Sequence, residues 1–136
     1  MQLKSLSRLF VVTGTLIIWI IKFGIRPFHH FEEPTQLMLG VAPNLLGSFL
    51  IPFGAYWFFT GRYHLLARIF RIQSIMDLRI VCMMGFCMLV INEYLQLLPF
   101  FGRTFDYFDI ISSATGLSIS YFVFGKAISR YQLQSN

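Results

Sequence analysis

Charge is scarce in this chain. Asp, Glu, Lys and Arg make up 12% of its 136 residues, whereas soluble domains run near about 25%. With 56% hydrophobic and 18% aromatic residues, that scarcity excludes an ordinary water-soluble domain and points to a bilayer. Acids are the rarer sign, 6 against 11 Lys and Arg, for a formal net charge of +5. The basic residues are scattered between apolar runs and form no patch with polar support. No nucleic-acid partner is expected, and orientation in a membrane accounts for the basic residues better. Cysteine is limited to Cys82 and Cys87. They lie five apart, on different sides of a helix, and fit no zinc or disulfide pattern, so free buried thiols are expected. His29 and His30, followed by Glu32 and Glu33, share no helix face and have no spaced third ligand. A solvated loop is expected there and no metal site. No repeat, linker or low-complexity stretch divides the chain.

Apolar sequence is what the chain has in quantity. A helical span needs about 20 mostly apolar residues. Four stretches qualify, at about Leu9–Ile25, Leu37–Phe59, Ile80–Leu98 and Tyr107–Lys126. The first is the shortest, and Lys22 near its end can snorkel to the interface. Lys4 and Arg8 ahead of it give the look of a signal peptide. No small-x-small cleavage site follows, so an uncleaved first span is expected. Pro43 and Pro52 fall inside the second span, and Pro52 with Phe53 and Gly54 is expected to bend or thin its inner half. Lys4, Arg8, Arg62, Arg68, Arg71, Arg79, Lys126 and Arg130 fall on one side of such a layout, with Lys22, Arg26 and Arg103 on the other. The positive-inside rule then puts both termini in the cytoplasm. Between the second and third spans, Leu65, Leu66, Ile69, Ile72 and Met76 recur at helical spacing, with Arg68, Arg71 and Ser74 off the stripe. That pattern predicts an amphipathic helix resting on cytoplasmic head groups. The expected fold is an all-α integral membrane protein, a single domain over 1–136, with four transmembrane helices and a cytoplasmic amphipathic helix between the second and third.

The segment from Asn92 to Gly116 then stands out, because it puts charge where charge is costly. An ionisable side chain at the centre of a span costs roughly 2.5–3.5 kcal/mol even on lenient scales. Glu93 and Gln96 are three apart and share a helix face. Asp106 and Asp109 are also three apart, and Ser113, Gly116 and Ser120 continue their stripe. Such small residues let another helix approach closely. Asn44, with Gly40 and Gly47, gives the second span a similar face. In an antiparallel layout these groups converge in the outer half of the bilayer, beside Arg103 in the outer loop. Structural roles are open to each of them. The aspartates suit a helix N-terminus, Arg103 can pair with Asp106, and Asn44, Glu93 and Gln96 can serve as interhelical hydrogen bonds.

Two of these segments resemble a known family. NLLGSFLIPFG, residues 44–54, looks like the asparagine, phenylalanine, proline and glycine signature of the VanZ-like family of small multi-pass membrane proteins. EYLQLLPFFGRTFDYFDIISSATG, residues 93–116, is similar to its second signature: glutamate, glutamine, Gly-Arg, two aspartates, then a small residue and glycine. Together they cover about 35 of the 136 residues, and their order, spacing and place in a four-span layout agree. The family's polar positions fall on Asn44, Glu93, Gln96, Arg103, Asp106 and Asp109. One departure is chemical. Where the family usually has an asparagine three or four residues after the second aspartate, this chain has Ser112 and Ser113. A hydroxyl donates and accepts but is shorter than an amide, which puts any reaction requiring that amide in question. The family takes its name from a glycopeptide-antibiotic resistance accessory. Broad comparison groups it with membrane enzymes that exchange lipid head groups, such as phosphatidylserine synthases. The resemblance thus implies a place in the cell envelope.

The leading expectation is an outer-leaflet polar pocket that binds a membrane lipid or lipid-linked envelope precursor. If the protein is an enzyme, the reaction is transesterification or hydrolysis at a phosphate ester. Glu93, Asp106 and Asp109 are the candidate catalytic residues, and Asn44, Gln96, Arg103 and Ser113 the candidate substrate-binding ones. The planar fork of Arg103 suits two phosphate oxygens. Glu93, partly desolvated, suits general acid or base work. Three roles are open to Asp106 and Asp109: to orient Arg103, to hold a divalent cation as cofactor, or to activate a hydroxyl. The alternative is a non-catalytic protein that sequesters a lipid or a glycopeptide antibiotic. A transporter or channel is least expected, since the chain has neither repeats nor pairs of broken helices. Topology is checked by impermeant thiol labelling of intact cells. Arg103→Cys should react from outside and Ser135→Cys only after permeabilisation, and the reverse pattern overturns the depth argument.

Overall fold

The computed structural model describes residues 2–28, 32–98 and 106–134. The first helix, α1 (Leu3–Trp19), runs directly into a π turn at Ile20–Ile25. It is followed by α2 (Glu33–Phe59), α3 (Leu65–Phe70), α4 (Ile75–Leu95) and α5 (Tyr107–Gln134). No strand occurs among the described residues. α1 with its π turn, α2, α4 and α5 are each long and apolar enough to cross a membrane, so the all-helical, four-span expectation holds.

The boundaries move, for local reasons. α1 begins at Leu3, ahead of the apolar run. Leu3 and Ser7, one turn apart, are buried against the bundle while Lys4 and Arg8 stay exposed. α2 begins at Glu33, with Pro34 in its first turn, where a missing N–H is harmless. It ends before Gly61, whose φ of 85° is the left-handed conformation that closes many helices. α4 begins at Ile75 because of a capping box. Ser74 Oγ accepts from the Asp77 N–H at 3.1 Å, and Asp77 Oδ2 accepts from the Ser74 N–H at 2.9 Å. At its other end α4 stops at Leu95, and residues 96–98 form turns, consistent with the helix-breaking influence of the following Pro99.

The same cap interrupts the amphipathic helix expected over this loop. α3 spans only Leu65–Phe70, with His64 Nδ1 accepting from the Ala67 N–H at 3.2 Å. Beyond it Ile72 drops into the core, while Leu65, Leu66 and Ile69 remain exposed. The expected stripe therefore divides between the core and the surface. α2 runs as one helix through both Pro43 and Pro52. A smaller expectation is also corrected. Cys82 and Cys87 are free, but Cys87 is exposed on the outside of the bundle.

α2 is the central element, packing against α1, α3, α4 and α5, with α5 as its most extensive partner. At one end of the bundle Leu3, Phe53, Ile72, Leu78, Val81, Phe124 and Ile128 form an apolar cluster. It joins the start of α1, the turn before α4 and the last third of α5. Phe53 meets the edge of Phe124 with ring centroids 5.0 Å apart and planes at 85°, a favoured aromatic geometry. Midway along, α5 crosses α2 at Gly116. A β-carbon there would collide with Ser48 Oγ and the Leu45 carbonyl, so only glycine fits. One turn on, Ser120 Oγ donates to the Phe49 carbonyl at 2.6 Å. Pro52, which has no N–H, leaves the Ser48 carbonyl rather than that of Phe49 without its helical donor, so the Ser120 bond is an added tie between the helices and not a substitute for the missing one.

Stability measurements in detergent should rank these two contacts. Ser120→Ala removes one interhelical hydrogen bond, worth on average about 0.6 kcal/mol in membrane proteins. Gly116→Val forces the helices apart and should cost more, in the range of about 1–3 kcal/mol or above. Equal thermal stability of Gly116→Val and wild type would remove this crossing from its central place.

Candidate functional site

At the end of the bundle away from the apolar cluster, the helices open into a polar cavity of about 780 Å³. Four elements wall it. The π turn and the residues just after it contribute Lys22 and Arg26. The first three turns of α2 contribute Glu33, Gln36, Gly40 and Asn44. The end of α4 contributes Asn92, Glu93 and Gln96, and the start of α5 contributes Asp106 and Asp109.

Glu93 is the buried acid of this set, 8% exposed. Its Oε1 accepts a hydrogen bond from Gln96 Nε2 at 2.9 Å. Gln96 sits at the C-terminal cap of α4 with helical backbone angles, which keeps the pair on one face as their spacing requires. Asp106 precedes α5, is exposed, and accepts the Phe108 N–H on Oδ1 at 2.9 Å. It therefore does cap the helix N-terminus, while its carboxylate still lines the cavity. Asp109 is half-buried one turn in, and its carbonyl accepts from Ser112 Oγ at 2.9 Å. Asn44 is half-buried on α2, immediately before the Leu45–Ser48 crossing with Gly116.

Five residues singled out from sequence, Asn44, Glu93, Gln96, Asp106 and Asp109, thus meet in one cavity. Ser113 does not join them. It is buried, 4% exposed, one turn farther along α5. The stripe that places Asp109 at the cavity turns Ser113, Gly116 and Ser120 into the packing face. Gly40 lines the cavity, whereas Gly47 has open space beside it. Arg103, His29 and His30 lie outside the described residues. Among the described residues no three His, Cys, Asp or Glu side chains gather closely enough to hold a metal ion.

Sequence reasoning missed Lys22, Arg26, Gln36 and Asn92 as cavity residues, and placed Glu33 nearby only as part of an outer loop. For the cations the signal was their spacing of four and their place on the less basic side of the layout. The π turn conceals it: Arg26 N–H bonds to the Ile21 carbonyl at 3.1 Å, an i→i+5 closure that widens the helix. The Arg26 guanidinium lies over Gly40, where a β-carbon would stand 3.5 Å from Nη2.

A second cavity of about 500 Å³ lies between α4 and α5, with Cys82, Met83, Phe86, Leu117, Tyr121 and Phe122 among its lining residues. Among the described residues no carboxylate lines it, and apart from Arg79 and Ser118 its walls suit hydrocarbon. The polar cavity is the better candidate for chemistry.

Protein-family models, curated proteins and solved structures were compared with the chain. None of them matches it. Function is therefore read from the chemistry of the cavity. Its access to water is open to direct test in a Cys82→Ala, Cys87→Ala background. Asn44→Cys and Asn92→Cys should react with a water-borne maleimide, and Ser113→Cys and Ser120→Cys should resist it. Uniform protection of all four positions would mean a cavity closed to polar ligands.

Proposed function

We propose that this protein binds the phosphate-bearing head group of a membrane lipid or lipid-linked envelope precursor in its polar cavity, and that it processes that head group. The observation carrying this reading is the convergence of Asn44, Glu93, Gln96, Asp106 and Asp109, from three helices, at one end of an otherwise apolar bundle. Burying an ionisable group in such a bundle is expensive, and a cavity lined by acids and amides beside hydrocarbon suits an amphiphile. The resemblance of residues 44–54 and 93–116 to VanZ-like signatures supports the same assignment, including a role in the cell envelope.

The cavity belongs to the outer leaflet in this reading. The apolar cluster joins the start of α1 to the last third of α5. The eight basic residues counted to the termini and the 62–79 loop would then face the cytoplasm. The exposed Leu65, Leu66 and Ile69 of α3, flanked by Arg62, Arg68 and Arg71, suit a headgroup layer there.

The chemistry is attack of a substrate hydroxyl, or water, on phosphorus. Glu93 takes the proton as the new O–P bond forms and returns it to the alkoxide released as the old P–O bond breaks. Gln96 Nε2 fixes the orientation of the carboxylate. Asp106 and Asp109 orient the substrate head group, and Arg103 adds a fork for the phosphate. Glu93→Gln keeps the shape and removes the proton carrier. Head-group exchange or hydrolysis should fall by about 10²–10⁴, while mass spectrometry finds the same lipids copurifying. Turnover equal to wild type would take Glu93 out of the mechanism. Retained lipid with no turnover in the wild type would favour the non-catalytic alternative, a lipid- or glycopeptide-binding accessory.

A further inference from the structure

Charge in the cavity is largely sorted by helix, with Glu33 at the start of α2 the described carboxylate that stands apart. Lys22 and Arg26 come from the π turn and the residue just after it, and the π turn packs on α2. Glu93 and Asp109 come from α4 and α5, which pack on each other, with Asp106 just ahead of α5. Neither Lys22 nor Arg26 has a carboxylate in ion-pair range among the described residues. Arg26 instead extends over Gly40, which leaves its guanidinium on the cavity wall. A lysine and an arginine side by side match a phosphodiester: one is a point charge, the other a planar fork for two oxygens. Carboxylates and amide oxygens match an ammonium group.

The balance of signs narrows the ligand further. The described lining includes two cations and four carboxylates, Glu33, Glu93, Asp106 and Asp109. A ligand with only negative charge would answer the cations and leave the acids opposed. One carrying both signs answers both walls. We infer that the cavity recognises a zwitterionic phosphodiester head group carried by a membrane lipid. The phosphate lies on Lys22 and Arg26, and the amine lies toward Asp106 and Asp109, with Glu93 kept for the proton transfer at phosphorus. This rests on the reading of the cavity as a phosphate-lipid site and adds the head-group class and the residues that divide it.

The full chain tests this. It is equilibrated in mixed micelles with equal amounts of phosphatidylethanolamine, phosphatidylglycerol and diacylglycerol of identical chains, repurified, and its retained lipid measured by mass spectrometry. The ethanolamine lipid should exceed the glycerol lipid by about tenfold, the scale of one charge-assisted contact. Lys22→Gln with Arg26→Gln should lower its retention by about tenfold or more, and Arg26→Lys should keep most of it. Both cationic side chains are exposed, so these changes leave the core intact, which an unchanged melting temperature checks. Asp106→Asn with Asp109→Asn should bring the two phospholipids toward equal retention. Glycerophosphoethanolamine, the water-soluble head group, should not displace the lipid at equal concentration. Preference for phosphatidylglycerol, or indifference to the double cation variant, overturns the inference while leaving a phosphate-lipid site standing. Displacement by the soluble head group overturns the lipid source. Retention of diacylglycerol alone overturns the underlying reading of the cavity.

Discussion

The contact between Gly116 and the backbone of α2 at Leu45–Ser48 sets the register of the whole bundle. Two helices that meet this closely resist sliding even by a turn, because Ser113 or Ser120 would bring a β-carbon to the point where only glycine fits. Ser120 pins the same register one turn on, through the Phe49 carbonyl. With α5 fixed on α2, Asp109 lies two turns on the open side of Gly116, and Asn44 sits just before Leu45. The cavity is thus a product of packing lower down. Its polar residues need not attract one another to be assembled.

The division of labour along the bundle follows from that. One end carries the aromatic and aliphatic cluster around Phe53 and Phe124, where interlocking side chains hold α2, α4 and α5 together. The other end carries the charged and amide groups. In water, apolar burial could hold both ends. In a bilayer the surrounding lipid is as apolar as leucine, so close packing and interhelical hydrogen bonds take over. Most large apolar side chains outside the cluster are accordingly exposed.

Much of this was legible in the sequence, and the exceptions have physical causes. The four spans were visible because each is a run of apolar residues of membrane length. Their ends were not, because capping chemistry sets them: the Ser74–Asp77 box starts α4 five residues before the apolar run, and Gly61 closes α2. Asn44, Glu93, Gln96, Asp106 and Asp109 could be found because polarity inside an apolar stretch is costly. Lys22 and Arg26 were hidden because a basic residue near a span end has an ordinary use as an interface anchor. No residue type announces a π turn. Ser113 falls outside the cavity lining for the converse reason. Its stripe was read correctly, but a stripe has two ends, and the small residues serve the helix crossing.

The helices differ in length, and the difference shapes the recess. α2 has 27 residues and α4 has 21. Glu33 to Asn44 all lie on the stretch of α2 that walls the cavity, whereas α4 contributes only its last residues. α2 therefore overhangs its neighbour by on the order of 10 Å at 1.5 Å rise per residue. A bilayer matched to the shorter helix leaves that overhang in the headgroup zone, wetted and facing polar heads. A thicker one draws it toward hydrocarbon, at a modest cost per ångström of mismatch. Membrane thickness would then bear on the hydration of the recess through the same few turns of helix that line it.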